Sequence, residues 1–263
     1  FWGSTFWDAN VTWWTTDPDF TLCFEQTVLV WTPCAFYWLF VLFDFWYLKA
    51  SLDKNIPWNK LSIAKLFVNI SLIVITALDL IMALVKKGGD SDLPLYDADI
   101  WCPIIKLATF LMLLIFIPLN RKYGVQTSGC QFMFWLLLTI FSIPRCRTEA
   151  RMANDRSNII GSNQVNPPDF SWEEYQYVSF LIFFAFTCLM LLINCFSDKL
   201  PRQTKYKRGP NEIPELSASF LSRITYRWFD SMALKGYRKP LEEKDLWDLR
   251  PQDSCKEVMP TFA

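Results

Sequence analysis

Four ionisable residues stand inside long apolar runs, and their spacing is the first place to look for chemistry. Asp44 lies in a run from about Gln26 to Leu48, and Lys65 and Asp79 share one from about Leu61 to Val85. Lys106 lies in a run from about Ile100 to Leu119. Asp79 and Lys106 each stand six residues from one end of their run, roughly 9 Å in at ~1.5 Å per residue. Asp44 and Lys65 each stand four residues from the opposite end. Opposite charges at matched depth can close as interhelical ion pairs, Asp79–Lys106 and Asp44–Lys65, which lowers the cost of placing them among apolar neighbours. The alternative is that each side chain snorkels to the nearest polar boundary. A proton relay would need further buried acids or a histidine, and the chain has no histidine.

That absence also removes the Ser-His-Asp triad, the Cys-His dyad and histidine-bearing zinc sites. Of eight cysteines, Cys34, Cys130, Cys188 and Cys195 lie in apolar runs and Cys255 in a polar tail. Cys23, Cys102 and Cys146 lie nearer an oxidising face. No CxxC pair occurs, so a metal site is not expected. A P-loop needs G-x-x-x-x-G-K-[ST], so that backbone amides and a lysine hold phosphates. The nearest run, Gly124-Val125-Gln126-Thr127-Ser128-Gly129-Cys130, lacks the lysine and reads as a turn. Asn10-Val11-Thr12 is an N-glycosylation sequon, usable only in an external segment. Asn69-Ile70-Ser71 has the same pattern but lies inside an apolar run, where it is a chance match.

The elements that must position these residues follow from composition. Hydrophobic residues make up 52% and aromatics 17% of 263, with 23 Phe and 13 Trp. Lys+Arg and Asp+Glu are 26 each, so no net field draws nucleic acid. A membrane-spanning helix needs about 20 mostly apolar residues. Besides the three runs above, Cys130–Pro144 and Tyr175–Ser197 carry no charge. The fourth is short, but its charge-free stretch extends back to Tyr123. The runs contain no glycine, so GxxxG packing is absent and bulky aromatics take its place.

Basic residues set an expected orientation. Segments 49–60, 120–129 and 198–208 hold ten Lys and Arg in 33 positions, against six in 69 for segments 1–25, 86–99 and 145–174. The first 25 residues contain Asp8, Asp17, Asp19 and Glu25 and no Lys or Arg. The N-terminus is therefore expected outside and residues from about 198 onward in the cytosol. The chain starts without Met or a signal peptide and reads as a fragment, with insertion depending on the first span.

After the fifth run, residues 198–214 are polar and basic, with Pro201, Pro210 and Pro214, and read as a linker suited to an anionic inner leaflet. Helical periodicity then returns. Phe220, Leu221, Ile224, Trp228 and Met232 share one face, with Arg223 and Arg227 flanking it, which predicts an amphipathic interfacial helix over about 215–235. A second amphipathic stretch, Pro240 to Leu249, follows. The expected fold is all-α and polytopic. It comprises an external N-terminus (1–25), a five-helix transmembrane bundle (26–197) and a cytosolic tail (198–263).

The run Ser217-Ala218-Ser219-Phe220-Leu221-Ser222-Arg223-Ile224-Thr225, then Gly236-Tyr237-Arg238-Lys239-Pro240-Leu241 and Asp245-Leu246-Trp247, resembles the linker of the multidrug resistance-associated proteins, which are C-subfamily ATP-binding-cassette exporters. Asn10-Val11-Thr12-Trp13, Pro18-Asp19-Phe20-Thr21, Thr27-Val28-Leu29-Val30-Trp31, Gly124-Val125-Gln126 and Cys195-Phe196-Ser197-Asp198 are similar to the extra N-terminal membrane domain of the long members. The resemblance implies a five-span accessory domain tied to trafficking, followed by a lasso-like linker that contacts the transport core and is needed for export. It also implies a parent protein that exports glutathione and other organic-anion conjugates. ATP and Mg would be the parent's cofactors, with none in this chain. Expected partners are membrane lipid and the core of the same protein, and no nucleic acid. A rival within the subfamily is a sulfonylurea-receptor-like subunit that clasps a potassium channel. Long members usually carry an early Cys that can pair with the one matching Cys23. Trp2 stands there instead, which leaves Cys23 without an obvious partner.

Overall fold

The computed structural model describes residues 6–16, 18–50, 57–88, 97–163, 172–198 and 213–248. The basic positions Lys199, Arg202, Lys205, Lys207 and Arg208, and Cys255, lie outside the described residues. A single turn, α1 (Ala9–Thr12), is capped by the Asp8 carboxylate, which accepts from Asn10 N at 2.9 Å. Five long helices follow: α2 (Leu22–Ala50), α3 (Lys60–Gly88), α4 (Asp97–Lys122), α5 (Gly129–Asn163) and α6 (Trp172–Asn194). All five are long and apolar enough to cross a membrane. The all-α, five-span architecture expected from the apolar runs is the one observed.

Local chemistry sets several helix ends. Thr21 starts α2, with its hydroxyl accepting from Phe24 N at 3.4 Å and donating to Phe6 O at 2.7 Å. Gly124, at φ 75°, ends α4. Its N–H reaches Arg121 O and that of Val125 reaches Asn120 O, the two bonds of a Schellman cap. Ser128 caps α5 by accepting from Gln131 N at 3.2 Å. The P-loop-like run is thus a helix-to-helix turn.

The end of the fourth run needs correction. The sequence places its limit at Pro144, with an external segment over 145–174, but α5 continues to Asn163. The proline removes one N–H yet does not break the helix. Thr148 donates back to Pro144 O at 3.3 Å, and Arg145 meets Glu149 one turn on at 3.6 Å.

The five helices close into a ring in the order α2, α4, α3, α6, α5 and back to α2. Tyr37, Leu72, Leu113, Phe134 and Trp135 fill its centre without exposure. Phe110 stacks on Trp135 at 5.8 Å with planes 6° apart. Several polar groups in this interior are matched across helices. Asn69 Nδ2 donates to Phe110 O at 3.1 Å, Trp38 Nε1 to Thr109 Oγ1 at 3.1 Å, and Gln26 Nε2 to Asp99 Oδ1 at 2.8 Å. Thr76, Thr139 and Ser142 return their hydroxyls to carbonyls one turn back. Without water in a hydrocarbon layer, each such group must be met by protein. Leu42, Trp46, Phe67 and Leu192 face outward and exposed, as lipid-facing side chains do.

Candidate functional site

The described tail does not form one continuous helix, so the expected interfacial helix over 215–235 is corrected. A short 3-10 turn (Pro214–Ser217) leads to α7 (Phe220–Ile224), then a second turn (Arg227–Phe229) and α8 (Asp230–Arg238). The break falls at Tyr226, whose φ of 54° lies in the left-handed region that costs a side chain about 1–2 kcal/mol. Thr225 supports the stop, its hydroxyl bonding back to Leu221 O at 2.8 Å. The break splits the predicted apolar face. Phe220 turns toward the bundle, Leu221 and Ile224 are exposed, and Trp228 and Met232 are half-buried. Arg223 does not flank a free face, since its Nε donates to Glu215 O at 3.0 Å. Arg227 opens the second turn and is exposed.

Phe220 is where the tail meets the bundle. Its ring lies over Gly129, so close that a Cβ on Gly129 would overlap it. It also packs on Phe132 with ring centroids 5.5 Å apart. Ser217 O accepts from Ser197 Oγ at 2.8 Å. One residue on, Asp198 Oδ2 pairs with Lys65 Nζ at 3.0 Å, with side chains only 9% and 14% exposed. Asp198 N donates to Gln126 O at 3.3 Å. Beside them, Asp44 accepts from the Ser128 hydroxyl at 3.1 and 3.0 Å, and Arg121 lies 3.8 Å over the Trp58 ring. Gly129 and Phe132 of α5 and Ser197 after α6 hold the first turns of the tail, and the Lys65–Asp198 pair ties that end of α6 to α3.

The two expected ion pairs are not formed. Asp44 and Lys65 lie on α2 and α3, which are consecutive in sequence but have α4 between them in the ring. Lys65 takes Asp198 and Asp44 takes Ser128. Asp79 and Lys106 lie on packed helices and line one cavity, but both turn to α6. Asp79 Oδ1 accepts from Tyr175 Oη at 3.0 Å and from Ser179 Oγ at 2.5 Å. The Lys106 ammonium sits 4.4 Å over the Phe183 ring. Asn10 is exposed in α1, and its sequon partner Thr12 donates to Asp19 O at 3.2 Å.

The linker motif closes on itself. Trp228 and Phe229 meet Trp247 at 5.8 and 6.0 Å between ring centroids. Asp245 receives Lys235 Nζ at 2.6 Å and Lys239 Nζ at 3.1 Å. Those hydrogen bonds, Lys235's first and Lys239's next, hold the Asp245 carboxyl well below the usual carboxylate range. A Cβ on Gly236 would lie 3.3 Å from Leu241 Cδ1, so the chain passes tightly there. Tyr237 and Pro240 stay exposed, as does Leu246.

Sequence reasoning missed Ser128, Gly129 and Asp198 as docking residues. Asp198 had one signal, as the acid closing Cys195-Phe196-Ser197-Asp198 just past a charge-free run. Gly129 had another, as a glycine opening a helix.

Five helices long and apolar enough to span a membrane, with a folded segment docked on one end, define the class: a multi-span membrane domain with its connecting segment. A family model described as the ABC transporter TMD0 domain matches residues 11–158, and the chain belongs to that family. The chain is 32% identical over 258 residues to ATP-binding cassette sub-family C member 3 of Homo sapiens, covering 98% of this chain and 16% of that protein. It is 31% identical over 268 residues to sub-family C member 2 of Rattus norvegicus, and 29% over 264 to that of Mus musculus, covering all of this chain and 15% of each. The chain thus spans about one-sixth of the length of these relatives.

Proposed function

We propose that this chain is the accessory membrane domain and linker of an ATP-driven exporter of glutathione and other organic-anion conjugates, and that the bundle acts by holding the start of the linker in register for the transport core. The observation that carries this reading is the docking of Phe220 over Gly129, joined to the Lys65–Asp198 pair. ATP and Mg act in the rest of the parent protein.

On this reading the N-terminus lies outside and the tail in the cytosol, following the bias of basic residues, and the home is the plasma membrane first and a vacuolar or lysosomal membrane second. Asn10, which is exposed, is then available for glycosylation on that outer side. The bundle serves trafficking as well as assembly with the core.

The test is ATP-driven uptake of a glutathione conjugate into inside-out vesicles that hold the transport core, alone or supplemented with residues 199–263 or with the whole chain. Uptake restored most fully by the whole chain supports the reading. If neither piece restores uptake to a folded core, the exporter reading fails.

A further inference from the structure

One cavity in the bundle holds charges that do not reach one another. It lies among all five long helices, near the end where α2 starts, with a volume of about 60 Å³. Lys106 lines it, is 8% exposed, and among the described residues has no carboxylate within ion-pair distance, only the Phe183 ring. Arg145 lines it too. Its guanidinium lies over Phe180 at 5.0 Å and meets Glu149 only at 3.6 Å, leaving Nε without a hydrogen bond. Asp79 lines the same cavity, as does Asp99, whose Oδ1 accepts from Gln26 Nε2 at 2.8 Å. Both hydrogen bonds to Asp79 fall on Oδ1, which leaves Oδ2 to accept another. Lys106 and Asp79 each stand nine residues inside their helix, about 13–14 Å from its end, so both lie within the spanning segments.

A buried ammonium costs several kcal/mol unless something answers it. A simple anion would satisfy Lys106 and Arg145 but face the Asp79 carboxylate. A simple cation would satisfy Asp79 and face the two bases. A ligand carrying both a phosphate and an ammonium answers Lys106, Arg145 and Asp79 together. We propose that this cavity binds a phosphate–ammonium zwitterion, the headgroup chemistry of phosphatidylethanolamine, with the phosphate on Lys106 and Arg145 and the ammonium on Asp79 Oδ2. The cavity has room for about four to six waters, which is the space such a headgroup's polar atoms need. The proposal rests on the bundle lying in a bilayer and not on what the parent protein exports.

The test is native mass spectrometry of the full chain released from nanodiscs containing equal parts of phosphatidylethanolamine and phosphatidylglycerol of the same acyl chains. Both lipids bring a phosphate, but only one brings an ammonium. Retention of the ethanolamine lipid should exceed that of the glycerol lipid by about tenfold, the weight of one hydrogen bond between charged groups. Asp79→Asn keeps the acceptor for Tyr175 and Ser179, so the fold is preserved, and it should abolish the preference while leaving total lipid retention unchanged. Lys106→Met should lower retention of both lipids together. Soluble phosphoethanolamine that displaces the lipid would identify the headgroup alone as the ligand, while failure to displace would assign the site to the membrane-anchored form. Equal retention of the two lipids, or a preference that survives Asp79→Asn, overturns the proposal.

Discussion

In the bundle, Asp79 takes two hydroxyl donors from α6 and Asn69 donates to a backbone carbonyl of α4. In the tail, Asp245 takes two lysine ammoniums, and three aromatic rings, Trp228, Phe229 and Trp247, close around the chain. The two regions keep polar groups satisfied by different means, because their surroundings differ. Away from water, a neutral donor from a neighbouring helix satisfies a carboxylate without bringing in a second charge. At a wet surface, ions stay hydrated and a pair of lysines is inexpensive to hold near an acid. The junction mixes both modes, with a buried Lys65–Asp198 pair beside a purely steric fit of Phe220 over Gly129.

The steric fit offers a direct way to break this contrast. Gly129→Leu fills the place of the Phe220 ring and should weaken docking by about 1–3 kcal/mol, as overpacking does. Amide exchange in α7 (Phe220–Ile224) would report it as faster exchange, with helical circular dichroism unchanged. In the tail, Trp247→Ala removes two ring contacts and should cost roughly 1–2 kcal/mol. Faster amide exchange in α8, with none in α5, would confirm that the tail unit is held by its own contacts.

Inside the bundle, Asn69→Leu should cost only ~0.6 kcal/mol, the average for an interhelical hydrogen bond in a membrane. Thermal unfolding in nanodiscs measures it, and a far larger loss would mean that single hydrogen bonds dominate the bundle.

The smallest effect is on pH. Asp245 is lowered when folded, so its clamp contributes fully above the ordinary carboxylate value of 3.8 and is lost as pH falls below it through the lowered folded value. Near-ultraviolet circular dichroism of the Trp228–Trp247 pair should hold steady down to about pH 4 and fade in stronger acid. Asp245→Asn should remove that acid transition.

The five spans are legible in the sequence because an almost charge-free run near 20 residues matches the thickness of a bilayer core and little else in a folded protein. Helix α5 outruns its expected end, since Pro144 and the charges Arg145, Arg147 and Glu149 mimic a helix stop. The expected ion pairs fail for two physical reasons. Depth along a helix is readable from sequence, but the order of helices around the ring is not, and α4 separates Asp44 from Lys65. Hydroxyl partners such as Ser128, Tyr175 and Ser179 also carry no charge to flag them. The tail's periodicity is real, yet a one-dimensional pattern does not show a residue such as Tyr226 taking a left-handed turn. The linker motif is visible as a resemblance, and only the folded chain accounts for it, with Gly236 under Leu241 and Asp245 between two lysines.

The most direct test of the docking reading is a charge-swap cycle at the junction. Lys65→Asp and Asp198→Lys would be made singly and together in the full chain, in nanodiscs, with amide-exchange protection of α7 (Phe220–Ile224) as the readout. Each single change leaves a like-charged, poorly solvated pair and should cost about 3–5 kcal/mol of docking, with the double change recovering most of it. Losses that simply add would mean that Lys65 and Asp198 do not hold the tail to the bundle.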